Sequence, residues 1–114
     1  MRRPAAERTV GTRQPKTKTV EQLADTFAES VSQLPQTREV LLTRPDGTPR
    51  IWTVIDSAPF DSTPRHEIYG RQLIALETFP NVEIDFQLIN PLEWPEDQRD
   101  YLLPRNAEVL WRRS

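Results

Sequence analysis

The apolar residues of this 114-residue chain change their spacing near Pro35, from a helical period to a strand period. Before this proline, apolar side chains recur at i, i+3, i+4 and i+7, which is the pattern of one face of an amphipathic helix. After it, β-branched runs and one strictly alternating segment are typical of strands. Both periods in a chain of this length predict a single α+β domain.

The first helix is predicted to begin at Thr19. Its hydroxyl would accept a hydrogen bond from a backbone N–H of the first turn while Gln22 reaches back, as in a capping box. Pro35 ends the helix, because proline cannot continue it. The helix then presents one buried stripe, which consists of Val20, Leu23, Ala24, Phe27, Val31 and Leu34.

Two strands and a second helix follow. Apolar residues 39–43 and 51–55 flank a Pro45-Asp46-Gly47 turn signal, which predicts an antiparallel hairpin. Both strands are apolar on both faces, so we expect them to be central. The second helix is predicted over 64–79, capped by Thr63, with a buried stripe of Ile68, Tyr69, Leu73, Leu76 and Phe79.

Residues 82–89 alternate strictly between apolar and polar side chains and predict a third strand. Its short connection to the second helix favours a β-α-β crossover. A short helix over 95–103 and an edge strand over 107–111 complete the chain. The predicted order is therefore helix, strand, strand, helix, strand, short helix and strand, with a mixed sheet of about four strands packed with two main helices.

The charge is divided unevenly along the chain. Residues 1–18 hold six basic side chains and one acid, a net +5, whereas residues 19–114 hold nine arginines and sixteen acids, a net −7. Because residues 1–18 also lack apolar periodicity, we predict a flexible basic arm attached to a single domain over 19–114. Its candidate contact residues, for nucleic acid or for an acidic protein surface including a second copy, are Arg2, Arg3, Arg8, Arg13, Lys16 and Lys18.

The composition excludes several kinds of chemistry. Without cysteine, the chain has no disulfide, no thiolate zinc site and no cysteine nucleophile. A single histidine, His66, excludes a multi-histidine metal site, and we expect it to have a surface or packing role. No apolar run approaches the roughly 20 residues of a membrane span, and no apolar stretch follows the basic N-terminus. We therefore expect a cytoplasmic protein without a membrane contact.

Four carboxylates lie near predicted strand ends or on the polar side of the third strand: Asp56, Asp61, Glu83 and Asp85. Oxygen ligands of this kind on adjacent strands bind Mg²⁺ in many enzymes. One hypothesis is therefore a Mg²⁺-dependent nucleotidyl or phosphoryl transferase that uses Asp56, Asp61 and Asp85. The other is that these acids are only solvated, since the spacing matches no specific motif.

An acidic and aromatic loop over 92–97 is the candidate partner-contacting element of the domain. Its proposed contact residues are Trp94, Glu96 and Asp97. An amphipathic ring such as that of Trp94 can line a binding face.

The order of elements, the segment 82–93 and the closing Ala107-Glu108-Val109-Leu110-Trp111 together resemble the minimal nucleotidyltransferase domains of bacterial toxin–antitoxin pairs. In that family a carboxylate on the third strand completes a metal site, and Asp85 is the matching position. The Gly-Ser after the first strand is replaced here by Thr43-Arg44, and the Asp-x-Asp of the second strand falls near 52–54. The resemblance therefore implies a degenerate member without nucleotidyl transfer.

Three functional hypotheses follow from the sequence. The favoured one is a non-catalytic protein-interaction module, a small subunit or antitoxin-like partner in a bacterial complex, which needs no metal or other cofactor. The second is the Mg²⁺-dependent transferase. The third is nucleic-acid contact through the basic arm, since the acidic domain itself repels phosphate.

Overall fold

The computed structural model describes residues 16–114, which form an α+β fold with a mixed four-stranded sheet. The α-helices are α1 (Lys16–Ser32) and α2 (Thr63–Thr78). The strands are β1 (Thr37–Thr43), β2 (Arg50–Ile55), β3 (Asp85–Ile89) and β4 (Glu108–Arg112), in the sheet order β3-β2-β1-β4. This arrangement confirms the predicted fold class, the central position of the hairpin strands and the edge position of the last strand.

Helix α1 begins three residues earlier than predicted. It starts at Lys16, so Thr19 lies inside the helix and the predicted capping box is wrong. The predicted arm overlaps this helix at residues 16–18, and its first fifteen residues lie outside the described part of the chain. The buried stripe is confirmed, because all six of its predicted members are buried: Val20, Leu23, Ala24, Phe27, Val31 and Leu34.

The hairpin forms around a tight turn. Strands β1 and β2 pair antiparallel, and Asp46 and Gly47 between them both have positive φ, 53° and 83°. Glycine adopts that conformation without a steric cost, which explains the turn signal in the sequence. The hydrophobic core lies between one face of this sheet and the two helices. There the ring of Phe27 contacts that of Phe86 at a centroid distance of 4.9 Å.

Helix α2 packs through a different face from the predicted one. It buries Pro64, Ile68 and Ala75, whereas Tyr69 and Leu73 are exposed. The predicted buried stripe is therefore wrong except at Ile68 and, in part, Phe79, which packs at the rim of the core. The closest packing of α2 is against α1.

Strand β3 pairs parallel with β2, so β2, α2 and β3 form the predicted crossover unit. The strand begins at Asp85 rather than at Val82; Val82 and Ile84 precede it and pack against the core. A 3-10 turn, Pro91–Glu93, follows the strand, and a second one, Glu96–Tyr101, lies in place of the short helix predicted over 95–103. Within residues 16–114, no helix combines the length and the apolar character that crossing a bilayer requires.

The second face of the sheet is covered as well. Leu41 and Val54 project from the face opposite the helices and are 4% and 6% exposed. The chain over 90–107 runs from β3 at one edge of the sheet to β4 at the other edge. We infer that this connection shields the second face.

Arg113, which follows β4, forms hydrogen bonds with the backbone at and just after the carboxyl end of α1. Its Nε donates to the Thr37 carbonyl at 2.9 Å, and its Nη2 donates to the carbonyls of Ser32 and Leu34 at 3.2 and 3.0 Å. The guanidinium also stacks on the Trp111 ring. A cation at the carboxyl end of a helix satisfies carbonyls that have no helical partner.

Replacing Arg113 with alanine is expected to lower the free energy of unfolding by about 2 kcal/mol, because three backbone carbonyls lose a charged donor. Chemical denaturation followed by circular dichroism measures the loss. Arg38→Ala is the matched control: this side chain is 49% exposed and pairs at the surface with Asp56, which is 43% exposed. Its removal should cost less than about 0.5 kcal/mol. Equal losses in the two variants would contradict the proposed role of Arg113.

Candidate interaction site

An open groove of about 590 Å³ lies at the carboxyl ends of β2 and β3. Since the two strands are parallel, the loops that follow them leave the same end of the sheet. In open α/β sheets, ligands bind outside the carboxyl ends of parallel strands. The groove is lined by residues from both loops and from the first turn of α2: Pro59, Phe60, Asp61, Ser62, Arg65, Leu92 and Glu93.

Asn90 joins the two loops that form the groove. Its side chain is 1% exposed and donates to the carbonyl and the hydroxyl of Ser57, at 3.0 and 3.2 Å. Its Oδ1 accepts from the backbone N–H of Leu92 at 3.3 Å. Because a buried amide without partners is costly, these bonds fix the loop after β2 against the turn after β3.

An ion pair between Arg65 and Glu93 connects α2 to the same turn. The two side chains are only 27% and 28% exposed, so the pair forms part of the groove wall. Each charge is thereby matched by its neighbour. The pair connects the two elements that form this part of the wall.

Phe60 is the most unusual residue of the groove. Its side chain is 98% exposed, and its φ of 70° lies in the left-handed region. A non-glycine residue in that region costs about 1–2 kcal/mol. A large aromatic ring held in water on a strained backbone brings no benefit to folding, and such strain is concentrated at functional sites.

Other apolar side chains continue the exposed surface beside Phe60. Leu92 and Trp94 are 41% and 45% exposed. Of the contact residues predicted from the sequence, Trp94 directly follows the groove residue Glu93, and Glu96 and Asp97 lie in the next exposed turn. Arg99 holds this turn in place by donating to the carbonyls of Pro91 and Trp94. The result is an apolar groove with an acidic rim.

The carboxylates Asp56, Asp61 and Asp85 do not come together as a cation site. Asp56 follows the last residue of β2, whereas Asp85 pairs with Arg50 at the start of β2. At roughly 3.3 Å per residue, the two ends lie about 20 Å apart. Two of the three acids also have a cation partner: Asp56 contacts Arg38 at 3.0 Å and Asp85 contacts Arg50 at 3.5 Å.

Across residues 16–114, no three His, Asp or Glu side chains converge as metal ligands. Asp61 lines the groove, and its Oδ1 accepts from the backbone N–H of Thr63. Glu83 is exposed just before β3, and His66 is exposed in the first turn of α2.

Only two of the six predicted basic contact residues belong to the part of the chain that the structure describes. Arg2, Arg3, Arg8 and Arg13 lie outside it, and Lys16 and Lys18 belong to the first turn of α1.

No protein-family model, curated protein or solved structure matches the chain. The groove is therefore interpreted from its own chemistry.

Proposed function

We propose that this domain is a non-catalytic protein-interaction module and that its groove binds a partner protein. The observation that carries the proposal is Phe60, an aromatic ring that is 98% exposed on a left-handed backbone at the groove. Aromatic side chains dominate binding energy at protein interfaces. A folding cost at this position is offset when a partner covers the ring.

The chemistry of the surface indicates the kind of partner. Pro59, Phe60 and Leu92 offer apolar contact, while Asp61, Glu96 and Asp97 add negative charge around it. The basic groups of the same elements, Arg65 in the groove lining and Arg99 in the turn of Glu96 and Asp97, already bind groups of the domain itself. A complementary ligand is therefore a protein segment with an apolar anchor residue flanked by lysine or arginine.

Two features support a non-catalytic function. Asp56 and Asp85, two of the three carboxylates of the transferase hypothesis, lie at opposite ends of β2, and each binds an arginine. A Mg²⁺ ion has ligands at about 2.1 Å and cannot bridge such distances. The proposal includes what the sequence resemblance implies, a degenerate nucleotidyltransferase-like domain that serves as a small subunit or antitoxin-like partner in a bacterial complex.

Affinity capture tests the proposal. The full chain is immobilised, the protein it retains from its own cells is purified, and the binding of that partner is titrated. We expect Phe60→Ser to weaken binding at least about tenfold. Ile74→Ser is the matched control, because Ile74 is 60% exposed on α2 outside the groove. Equal affinity of the two variants would contradict the proposal.

Thermal unfolding separates the module from the transferase. Adding Mg²⁺ with ATP, or with another nucleoside triphosphate, is expected to leave the Tm of the full chain unchanged to within about 1 °C, because a ligand stabilises only the state it binds. A rise of several degrees that is lost in Asp85→Asn would instead support the transferase. Asp85→Asn alone removes only a surface ion pair with Arg50 and should hardly change the Tm.

A further inference from the structure

Helix α2 carries an exposed apolar stripe that the groove does not use. Tyr69, Leu73 and Leu76 follow one another at i, i+4 and i+7, and they are 44%, 61% and 38% exposed. This spacing places them on one side of the helix. Within the described chain they lie outside both the core cluster and the groove.

Two side-chain contacts of α2 show on which flank of the helix the exposed stripe lies. Arg65, one turn before Tyr69, binds Glu93 in the turn that follows β3. Arg71 donates to the carbonyl and the hydroxyl of Ser30 in α1, so it marks the opposite flank. The stripe therefore lies on the flank of α2 that leads to the β3 edge of the sheet.

Strand β3 forms that edge, and its outer side is open in residues 16–114, where its one pairing partner is β2. The backbone N–H of Asp85 donates to the Pro49 carbonyl before β2. Because backbone groups of a strand alternate in direction, those of Phe86 and Leu88 point away from the sheet. They form a row of donors and acceptors suited to another strand.

This edge lacks the usual features that prevent pairing. Strand β3, Asp85-Phe86-Gln87-Leu88-Ile89, contains no proline and no lysine, and its register with β2 is regular. Its one charged residue, Asp85, already binds Arg50. Natural edge strands generally carry such blocking features when they stay unpaired.

We propose that a second copy of this chain pairs with β3 in antiparallel orientation, about a two-fold axis at Gln87. This axis sets Phe86 opposite Leu88 of the second copy, so the outward backbone groups of both residues meet their complements in hydrogen-bonded pairs. Asp85 then lies opposite Ile89, and no like charges face each other. The edge is self-complementary, as an isologous dimer requires.

The same axis brings the two α2 helices together. Because α2 runs antiparallel to β3 within its crossover unit, the two helices are antiparallel across the dimer. We place Leu73 near the axis and next to Leu73 of the second copy, with Tyr69 close to Leu76. One interface thus covers the strand edge and the apolar stripe at once. It is independent of the proposed function, because it does not involve Phe60 or the groove.

Charge substitution at Leu73 tests the dimer in the full chain. Sedimentation equilibrium is expected to give a dimer for the native protein, and Leu73→Glu and Leu73→Lys should each weaken it about 100-fold. Mixing the two variants should restore dimers, since residue 73 meets itself across the axis. Ile74→Glu is the control, because Ile74 has the same exposure, 60%, about 100° further round the helix.

Three results of these experiments would exclude the proposed β3 dimer. A monomeric native chain, equal dissociation by Ile74→Glu, or no recovery on mixing would each overturn the proposal. High salt separates it from a dimer made by the basic N-terminal residues on the acidic domain. The β3 dimer should persist in high salt because its interface is apolar, whereas a charge-dependent dimer should dissociate. Dissociation of the native dimer by salt alone would also contradict the proposal.

Discussion

Replacing Asn90 with leucine is expected to lower the free energy of unfolding by about 3 kcal/mol, because it leaves buried polar groups without partners. The amide side chain supplies both donors for Ser57 and the acceptor for the Leu92 N–H, and it is 1% exposed. Leucine fills a similar volume, so the loss reports the hydrogen bonds rather than a cavity. Urea denaturation of the full chain measures it.

Ser57→Ala is the control for this prediction. It removes the hydroxyl but keeps the carbonyl that accepts from Asn90, so its cost should stay below about 1.5 kcal/mol. We also expect Asn90→Leu to weaken partner binding even under conditions where the protein remains folded, since the two groove loops lose their connection. Unchanged stability of Asn90→Leu would contradict the account of how the groove is built.

Replacing Phe60 with glycine is expected to weaken partner binding by about 30- to 100-fold, the effect of removing an aromatic anchor worth 2–3 kcal/mol. The same change should raise the free energy of unfolding by up to about 1 kcal/mol, because glycine adopts the φ of 70° without strain. A residue needed for folding would lose stability instead. The opposite signs of the two effects identify Phe60 as a binding residue.

Phe60→Ala separates the ring from the backbone. Alanine removes the ring but keeps the left-handed strain, so we expect it to lose binding as glycine does and to gain no stability. Denaturation curves and titrations of the purified partner against the three proteins measure both effects. A loss of stability in Phe60→Gly, with unchanged affinity, would show that the ring packs against the domain.

The sequence predicted α1 well because its stripe is the only apolar face of that helix. The prediction of the buried face of α2 was wrong, because the apolar stripe of this helix and its buried face lie on different sides. Periodicity reveals that a face is apolar, but it does not distinguish the core from a partner. The small residue Ala75 marks the buried side, and Tyr69 and Leu73 mark the exposed one.

The groove was harder to predict from the sequence than the helices, because it forms only when β2 and β3 pair. Trp94 stood out in the sequence as an aromatic residue in an acidic loop, and the structure places it beside the groove. Phe60 was missed because it is a single aromatic residue in a loop. The contact of Asn90 with Ser57 was missed because it depends on the alignment of β2 with β3. The same parallel register separates Asp56 from Asp85, which the transferase hypothesis requires in one metal site.

A photo-crosslinking amino acid at position 60 tests most directly whether the groove binds a partner protein. The full chain carries the probe at position 60 or, as the control, at position 74, and it is illuminated in lysate of its own cells. We predict one crosslinked partner from position 60 and none from position 74, with loss of the crosslink when Asn90→Leu is added. Equal labelling from the two positions, or a complex that forms without any crosslink from position 60, would contradict the account.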